Sequence, residues 1–151
     1  MQILLGFLVG LITNTLYRKV IIFKKHFFNF MNFILVTIGA GIGGGFRYLV
    51  SSLAARYLPI YFPFGTLIVN VLGSFLLGIL IFGLDDKELL STNLKLLTAI
   101  GFCGGFTTFS TFSLETINLL RDSQFLFAGL NITLNILFTL LGVYLAYLVT
   151  K

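Results

Sequence analysis

The sequence predicts an all-α membrane protein with four transmembrane helices, the third of them broken in the middle of the membrane. Three observations predict this fold class: the composition, four long apolar runs, and a glycine-rich polar stretch inside the third run. Of the 151 residues, 58% are hydrophobic and 10% are charged, and the mean hydropathy is +1.04. Such a chain has too little polar surface to close a soluble globule, which places it in a lipid bilayer.

The four runs after residue 30 are each long enough to cross a bilayer, whose apolar core of roughly 30 Å requires about 20 residues of helix. The predicted spans are residues 33–57, 64–83, 93–120 and 124–148. Their connectors, LPIYFP, LDDKELLSTN and RDSQ, leave no room for a soluble domain. We therefore predict that residues 31–151 form the working four-span domain.

Residues 1–30 differ from the rest of the chain. The apolar run ILLGFLVGLITN is followed by the basic and aromatic TLYRKVIIFKKHFFNF. The run is short for a span and lacks the charged leader and cleavage site of a secretory signal. Because MNFILVTIGAG at Met31 is typical of a chain start, we interpret residues 1–30 as upstream sequence or a dispensable extension. The alternative is an added interfacial or spanning helix.

Charge placement bears on how the four spans insert. The basic residues flanking the spans are Lys87, Lys95 and Lys151 on the side of the domain's N-terminus, and Arg56 and Arg121 on the other. A difference of one leaves the orientation undecided, as a protein that inserts both ways requires. Adding Lys24 and Lys25 makes the count five against two, which favours one orientation.

Several function classes are excluded by residue content. Residues 31–151 carry six Lys and Arg against five Asp and Glu, or +1, so there is no basic patch for nucleic acid. Cys103 is the one cysteine and His26 the one histidine, which excludes an intrachain disulfide and argues against a Cys-based zinc site. No nucleophile, base and orienting residue stand at a workable spacing, so an enzyme is not predicted.

Small and polar residues mark three of the predicted spans. In the first, Gly41 and Gly45 form a GxxxG pattern that lets another backbone approach closely. Arg47 in the same span either lines an aqueous vestibule that attracts anions or extends to the headgroups. Two polar stripes at helical spacing are Thr66, Asn70 and Ser74 in the second span, and Asn131, Asn135 and Thr139 in the fourth. Each stripe is either a track of donors for an anion or interhelical hydrogen bonding.

The third span contains the stretch GFCGGFTTFSTFSLE at residues 101–115. Its glycines and threonines favour a break in the helix. A break leaves backbone N–H and C=O groups without helical hydrogen bonds, and inside a membrane such groups are tolerated only where they are buried in protein or bind a ligand. Freed carbonyls suit a small hard cation such as Na⁺, and the N-terminus of the resumed helix favours an anion. Beyond the break, Phe109 and Phe112 share a face, where positive ring edges would attract a small anion; ordinary core or lipid packing is the alternative.

These motifs, GAGIGGGFRY, FGTLIVNVLGSFLLG and above all GFCGGFTTFSTFSLE, resemble the Fluc/CrcB family of fluoride channels over residues 31–151. The resemblance implies a bacterial plasma-membrane channel that exports fluoride passively. It also implies an antiparallel dual-topology dimer, either a homodimer or a pair with a related chain of opposite orientation, with two fluoride pores and one central structural Na⁺.

The resemblance also implies residue roles. Phe109 and Phe112 would form an aromatic box along each pore, and Asn70 would hydrogen-bond fluoride. Ser110 and Thr111 would belong to the polar track. Thr66 and Glu115 would match polar positions near the pore. Gly104 and Thr107 would match the positions whose backbone carbonyls hold Na⁺. Asn131 and Asn135 stand where many relatives have tyrosine and serine, so local contacts in the fourth span are expected to differ.

Two rival functions remain open from the residues alone. A small dual-topology transporter of cations or drugs would need a carboxylate in the substrate path, and the first two predicted spans contain none. A non-transporting assembly subunit would use the glycine and asparagine stripes only for packing. A transporter would give slow coupled flux, an assembly subunit none, and a channel a large uncoupled fluoride current.

Overall fold

The computed structural model describes the backbone of residues 2–151 and the side chains of residues 29–151. Within residues 29–151, four helical segments are long and apolar enough to cross a membrane: Asn29–Tyr57, Phe64–Asp85, Thr92–Arg121 and Phe125–Thr150. The predicted all-helical, four-span architecture is confirmed at this level, because apolar length alone determines which segments can span.

The described elements run in this order: α1 Gln2–Tyr57, α2 Phe64–Gly78, a π-helical continuation Ile79–Asp85, α3 Thr92–Lys95, a second π-helical segment Leu96–Phe102, α4 Cys103–Phe106, α5 Phe109–Arg121 and α6 Phe125–Thr150. Helix α2 begins directly after Pro63, a residue that cannot donate to a preceding turn. The Ser91 hydroxyl caps α3 by accepting from Leu94 N at 3.4 Å.

Helix α1 continues through Met31 as one element, Gln2–Tyr57, whereas the sequence interpretation separates residues 1–30 from the first span. Contacts divide the chain into two units, Met1–Ile34 and Leu35–Lys151. The side chains of residues 1–28 lie outside the described residues. That residues 1–30 are upstream sequence or a dispensable extension stays a prediction.

Two residues of extended backbone, here called the interruption, separate α4 from α5 within the segment Thr92–Arg121. Helix α4 ends at Phe106, after which Thr107 has φ −84° and ψ 159° and Thr108 has φ −152° and ψ 119°. Both residues are therefore in extended backbone, and α5 begins at Phe109. The Thr108 hydroxyl caps the resumed helix by accepting from Thr111 N at 3.1 Å, as an N-cap threonine does.

Small residues let the helices of the unit Leu35–Lys151 pack closely. Along the α2 and α6 contact, Val69 and Ala146 are fully buried, and a methyl group at Gly78 would lie 2.6 Å from Ala146 Cβ. Helix α1 approaches the third span at Gly43 and Gly105, where a methyl group would overlap backbone atoms of the opposite helix. Such glycine contacts are typical of helix packing in lipid, where apolar burial gives little drive.

Candidate functional site

Two cavities lie beside the interruption of the third span. The first cavity has a volume of about 360 Å³. Its lining residues are Asn70, Gly73, Ser74, Leu77, Ala99, Cys103, Gly104, Thr107, Thr108, Phe109, Phe112, Asn135, Ile136 and Thr139. The second cavity, of about 240 Å³, includes Ser51, Thr66, Thr111 and Glu115 among its lining residues. The fold thus brings most of the predicted site residues to these two spaces.

Phe109 and Phe112 both line the first cavity but differ in exposure within the chain. Their ring centroids are 5.4 Å apart with an interplanar angle of 47°. Phe109 is 79% exposed, whereas Phe112 is 9% exposed. The two rings contact each other at the start of α5. Phe112 belongs to the packed core of the chain, whereas Phe109 is exposed beside it.

Asn70 on α2 holds the interrupted backbone by its side-chain amide. Thr108 N donates to Asn70 Oδ1 at 2.8 Å, and Asn70 Nδ2 donates to Thr108 O at 3.1 Å. In a continuous helix the Thr108 amide would donate to the Gly104 carbonyl. The Asn70 side chain therefore replaces helical hydrogen bonds that the break removes, which a buried backbone group requires.

Asn131 and Asn135 on α6 are both buried and extend the polar contacts of Asn70. Asn70 Nδ2 donates to Asn135 Oδ1 at 3.1 Å, and Asn135 Nδ2 donates to Asn131 Oδ1 at 2.9 Å. Asn131 Nδ2 then donates to Thr116 Oγ1 at 2.9 Å. The two polar stripes predicted on the second and fourth spans thus meet at one contact, between Asn70 and Asn135.

Thr66 and Glu115 meet in the second cavity. Thr66 Oγ1 donates to Glu115 Oε1 at 2.8 Å, and Glu115 Oε2 is a buried atom without a hydrogen-bond partner among the described residues. Thr66 is 3% exposed. One Glu115 oxygen is therefore held by the Thr66 hydroxyl of the neighbouring helix α2.

Hydroxyl groups cluster at the N-terminus of α5. Thr108 Oγ1 donates to Thr111 Oγ1 at 3.0 Å and lies 3.2 Å from Ser110 Oγ. Ser110 and Thr111 are exposed, so their hydroxyls remain accessible as donors beside Phe109. Sequence reasoning missed Thr108 and Thr116 as members of the site. The position of Thr108 immediately before a helix start was a usable signal.

Arg47 reaches the interruption. Its Nη1 donates to Thr107 O at 3.1 Å, so this carbonyl accepts from a guanidinium. The neighbouring Gly104 carbonyl loses its helical donor because Thr108 N bonds to Asn70. Both carbonyls are oxygen donors of the kind that a hard cation prefers, and a carbonyl has a second lone pair beside any hydrogen bond it accepts. The two carbonyl oxygens therefore fit a small cation in ligand type, and the positive charge of Arg47 at Thr107 O acts against a cation at that oxygen.

Comparison with known proteins adds an independent line of evidence. A family model described as "CrcB-like protein, Camphor Resistance (CrcB)" matches residues 34–147. A protein of Shewanella baltica named "Fluoride-specific ion channel FluC" is 49% identical over 114 residues, which cover 76% of this chain and 91% of that protein. A protein of Methylocella silvestris with the same name is 40% identical over 121 residues, covering 79% of this chain and 92% of that protein.

Proposed function

Because the chain belongs to the CrcB family, we propose that it is a fluoride-selective ion channel that lets cytoplasmic fluoride leave passively and so relieves fluoride toxicity. The curated relatives named as fluoride-specific channels support this proposal. The protein then acts as a multi-pass protein of the bacterial cell membrane, and it performs no enzymatic reaction.

The observation that carries the proposal is the chemistry of the first cavity. Its lining combines ring atoms of Phe109 and Phe112, amide groups of Asn70 and Asn135, and several hydroxyls, and its lining residues include no charged side chain. Fluoride is small and strongly hydrated, so a passage must replace its water shell with successive donors. A lining of weak donors and ring edges does this without a fixed charge that would hold the anion.

An inside-negative membrane potential supplies the driving force. Moving one charge across the membrane is worth about 2.3 kcal/mol per 100 mV, so an open passage suffices to expel fluoride without coupling to another ion. We place Ser110 and Thr111 on the polar track beside the rings, and Thr66 and Glu115 at the second cavity, which both residues line.

Current recordings test this function and separate it from its rivals. The purified full chain in planar bilayers should give fluoride currents that reverse at the fluoride equilibrium potential and persist without any other permeant ion gradient. A coupled transporter would shift the reversal potential with its second substrate. An assembly subunit would give no current above that of protein-free membranes.

The channel further requires a second chain, and we propose an antiparallel dual-topology dimer of this chain or a pair with a related chain of opposite orientation. The first span supports it, because Gly41 and Gly45 have the GxxxG spacing that lets another backbone approach closely, and methyl groups built at these glycines have no neighbour within 4 Å in the single chain. The exposed Phe109 ring supports it as well, since this ring then lies between two chains.

Gly45→Leu is expected to leave the fold of the single chain intact and to weaken the dimer, because a large side chain enters the face that receives the second chain. Light scattering of the detergent-solubilised protein should shift from two chains per particle toward one. Gly129→Leu is the matched control, since Gly129 also has no neighbour within 4 Å but lies on α6. Equal masses for both variants would contradict this interface.

We also propose that the carbonyls of Gly104 and Thr107, with those of the second chain, hold one structural Na⁺. A bound sodium ion would supply positive charge at carbonyl oxygens that the break leaves without helical donors. Arg47 on Thr107 keeps one lone pair of that carbonyl occupied, so the cation would use the other.

Replacing sodium by N-methyl-D-glucamine, which is too large for such a site, is expected to lower the unfolding temperature of the purified protein. Thermal unfolding in detergent, followed by circular dichroism at constant ionic strength, measures the effect. An unfolding temperature that is the same in both salts would contradict the sodium site.

A further inference from the structure

The amide side chains of α2 and α6 form one directed chain of hydrogen bonds. It starts at Thr108 N, passes through Asn70, Asn135 and Asn131, and ends at Thr116, whose Oγ1 donates to Phe112 O at 2.8 Å. Both ends therefore lie on the interruption and on α5. This series of hydrogen bonds runs from the start of α5 to α2, then to α6, and returns to α5 two helical turns further along.

The two ends determine which way every amide points. A backbone N–H only donates, so Thr108 requires the oxygen of Asn70, and the nitrogen of Asn70 must then face Asn135. The same reasoning sets the oxygen of Asn135 toward Asn70 and its nitrogen toward Asn131. At the far end Thr116 gives its own hydrogen to a backbone carbonyl, so its oxygen accepts from Asn131, in agreement with the direction set at the start.

As a consequence, Asn70 has no unused donor in this state. Its amide carries two hydrogens, and Nδ2 donates both to Thr108 O at 3.1 Å and to Asn135 Oδ1 at 3.1 Å. The bond to Thr108 belongs to the backbone of the break. An anion that accepts a hydrogen bond from Asn70 must therefore replace Asn135 Oδ1 as the acceptor of that N–H.

We propose that Asn135 competes with fluoride for Asn70: its side-chain oxygen accepts a hydrogen bond from Asn70 Nδ2 while no ion is bound. This hydrogen bond breaks when fluoride binds and accepts from the same N–H. This inference rests on the proposed fluoride channel. The neutral amide oxygen keeps the buried donor satisfied in the empty passage, yet it carries no charge that repels the anion. Asn131 acts as a positioning residue, because its side-chain and backbone oxygens accept from Asn135 Nδ2 and thereby keep the Asn135 oxygen on Asn70. Thr116 positions Asn131 in turn, because Thr116 Oγ1 accepts from Asn131 Nδ2.

Asn135→Ala removes the competitor and leaves the Asn70 N–H to fluoride or exchangeable water. The half-saturating fluoride concentration of the current is expected to fall at least threefold. Asn135→Asp keeps the acceptor but gives it a fixed charge, and the fluoride current is expected to fall at least tenfold. A residue that only supports the fold would lower the maximal current in both variants without lowering the half-saturating concentration.

Thr116→Val tests the positioning role from a distance, because Thr116 lines neither cavity. It removes the acceptor of Asn131 Nδ2 with little change in side-chain volume, and the half-saturating concentration should fall in the same direction as for Asn135→Ala, by a smaller factor. Thr133→Val, on an exposed residue of α6, is the matched control and should match the wild-type protein.

The outcomes separate this inference from the proposed function. If the wild-type protein conducts fluoride and Asn135→Ala has an unchanged or raised half-saturating concentration, the competitor role is wrong. The proposed channel function is not affected by that result. If Asn135→Ala does not fold, Thr116→Val decides: a lowered half-saturating concentration supports the inference, and a wild-type value overturns it. Absence of fluoride current in the folded wild-type protein overturns the proposed function, and this inference with it.

Discussion

Phe112→Ile is expected to reduce fluoride flux on the order of tenfold, which corresponds to about 1.4 kcal/mol of barrier height. Isoleucine fills most of the space of the ring but has no positive edge to offer an anion. Phe109→Ile should act in the same direction with less effect on folding, because Phe109 is 79% exposed in the single chain while Phe112 is 9% exposed. Efflux of fluoride from loaded liposomes measures both.

Phe138→Ile serves as the control for these variants, since Phe138 is a 38% exposed phenylalanine of α6 that lines neither cavity. It should retain wild-type flux. Dimer mass and unfolding temperature should be measured for each variant, so that a loss of flux is not a loss of folded protein. Wild-type flux in both Phe109→Ile and Phe112→Ile would refute the ring-edge mechanism.

Gly43→Val is expected to destabilise the packing of α1 on the third span by about 3 kcal/mol, the upper range for overpacked sites. A side chain at this position meets Phe102 O and lies 2.9 Å from Phe106 N. Both atoms belong to helix backbone, so neither moves aside without disturbing the segment that carries the interruption. The unfolding temperature in detergent should fall, and fluoride flux should fall with it.

Gly129→Val is the matched control for this prediction. It introduces the same side chain at an exposed glycine of α6 that has no neighbour within 4 Å. An unfolding temperature of Gly43→Val equal to that of Gly129→Val would mean that the close approach of α1 to the third span is not needed for stability.

The four spans follow from the sequence because bilayer thickness dictates the length of an apolar helix. The glycines and threonines of residues 101–115 pointed to an interruption, since they are poor helix formers in series. The structure places extended backbone at Thr107 and Thr108. The depth of this interruption in a bilayer stays a prediction.

Other features depend on which helices become neighbours, which helical spacing does not reveal. The GxxxG pattern drew attention to Gly41 and Gly45, whereas Gly43 makes the close approach within the chain. Asn131 and Asn135, in place of the tyrosine and serine of many relatives, predict different local contacts in the fourth span, but the link of Asn131 to Thr116 requires that α5 and α6 lie side by side. Such links between spans are set by tertiary packing, and one sequence does not specify them.

The central claim, a selective fluoride passage formed by this chain, is tested most directly by ion efflux from liposomes that contain the purified full-length protein. A fluoride electrode follows fluoride release, and a chloride electrode follows a parallel sample. Rapid fluoride release with chloride release no faster than from protein-free liposomes is the predicted result. Fluoride release at the protein-free rate from folded protein, or chloride release as fast as that of fluoride, would contradict the account.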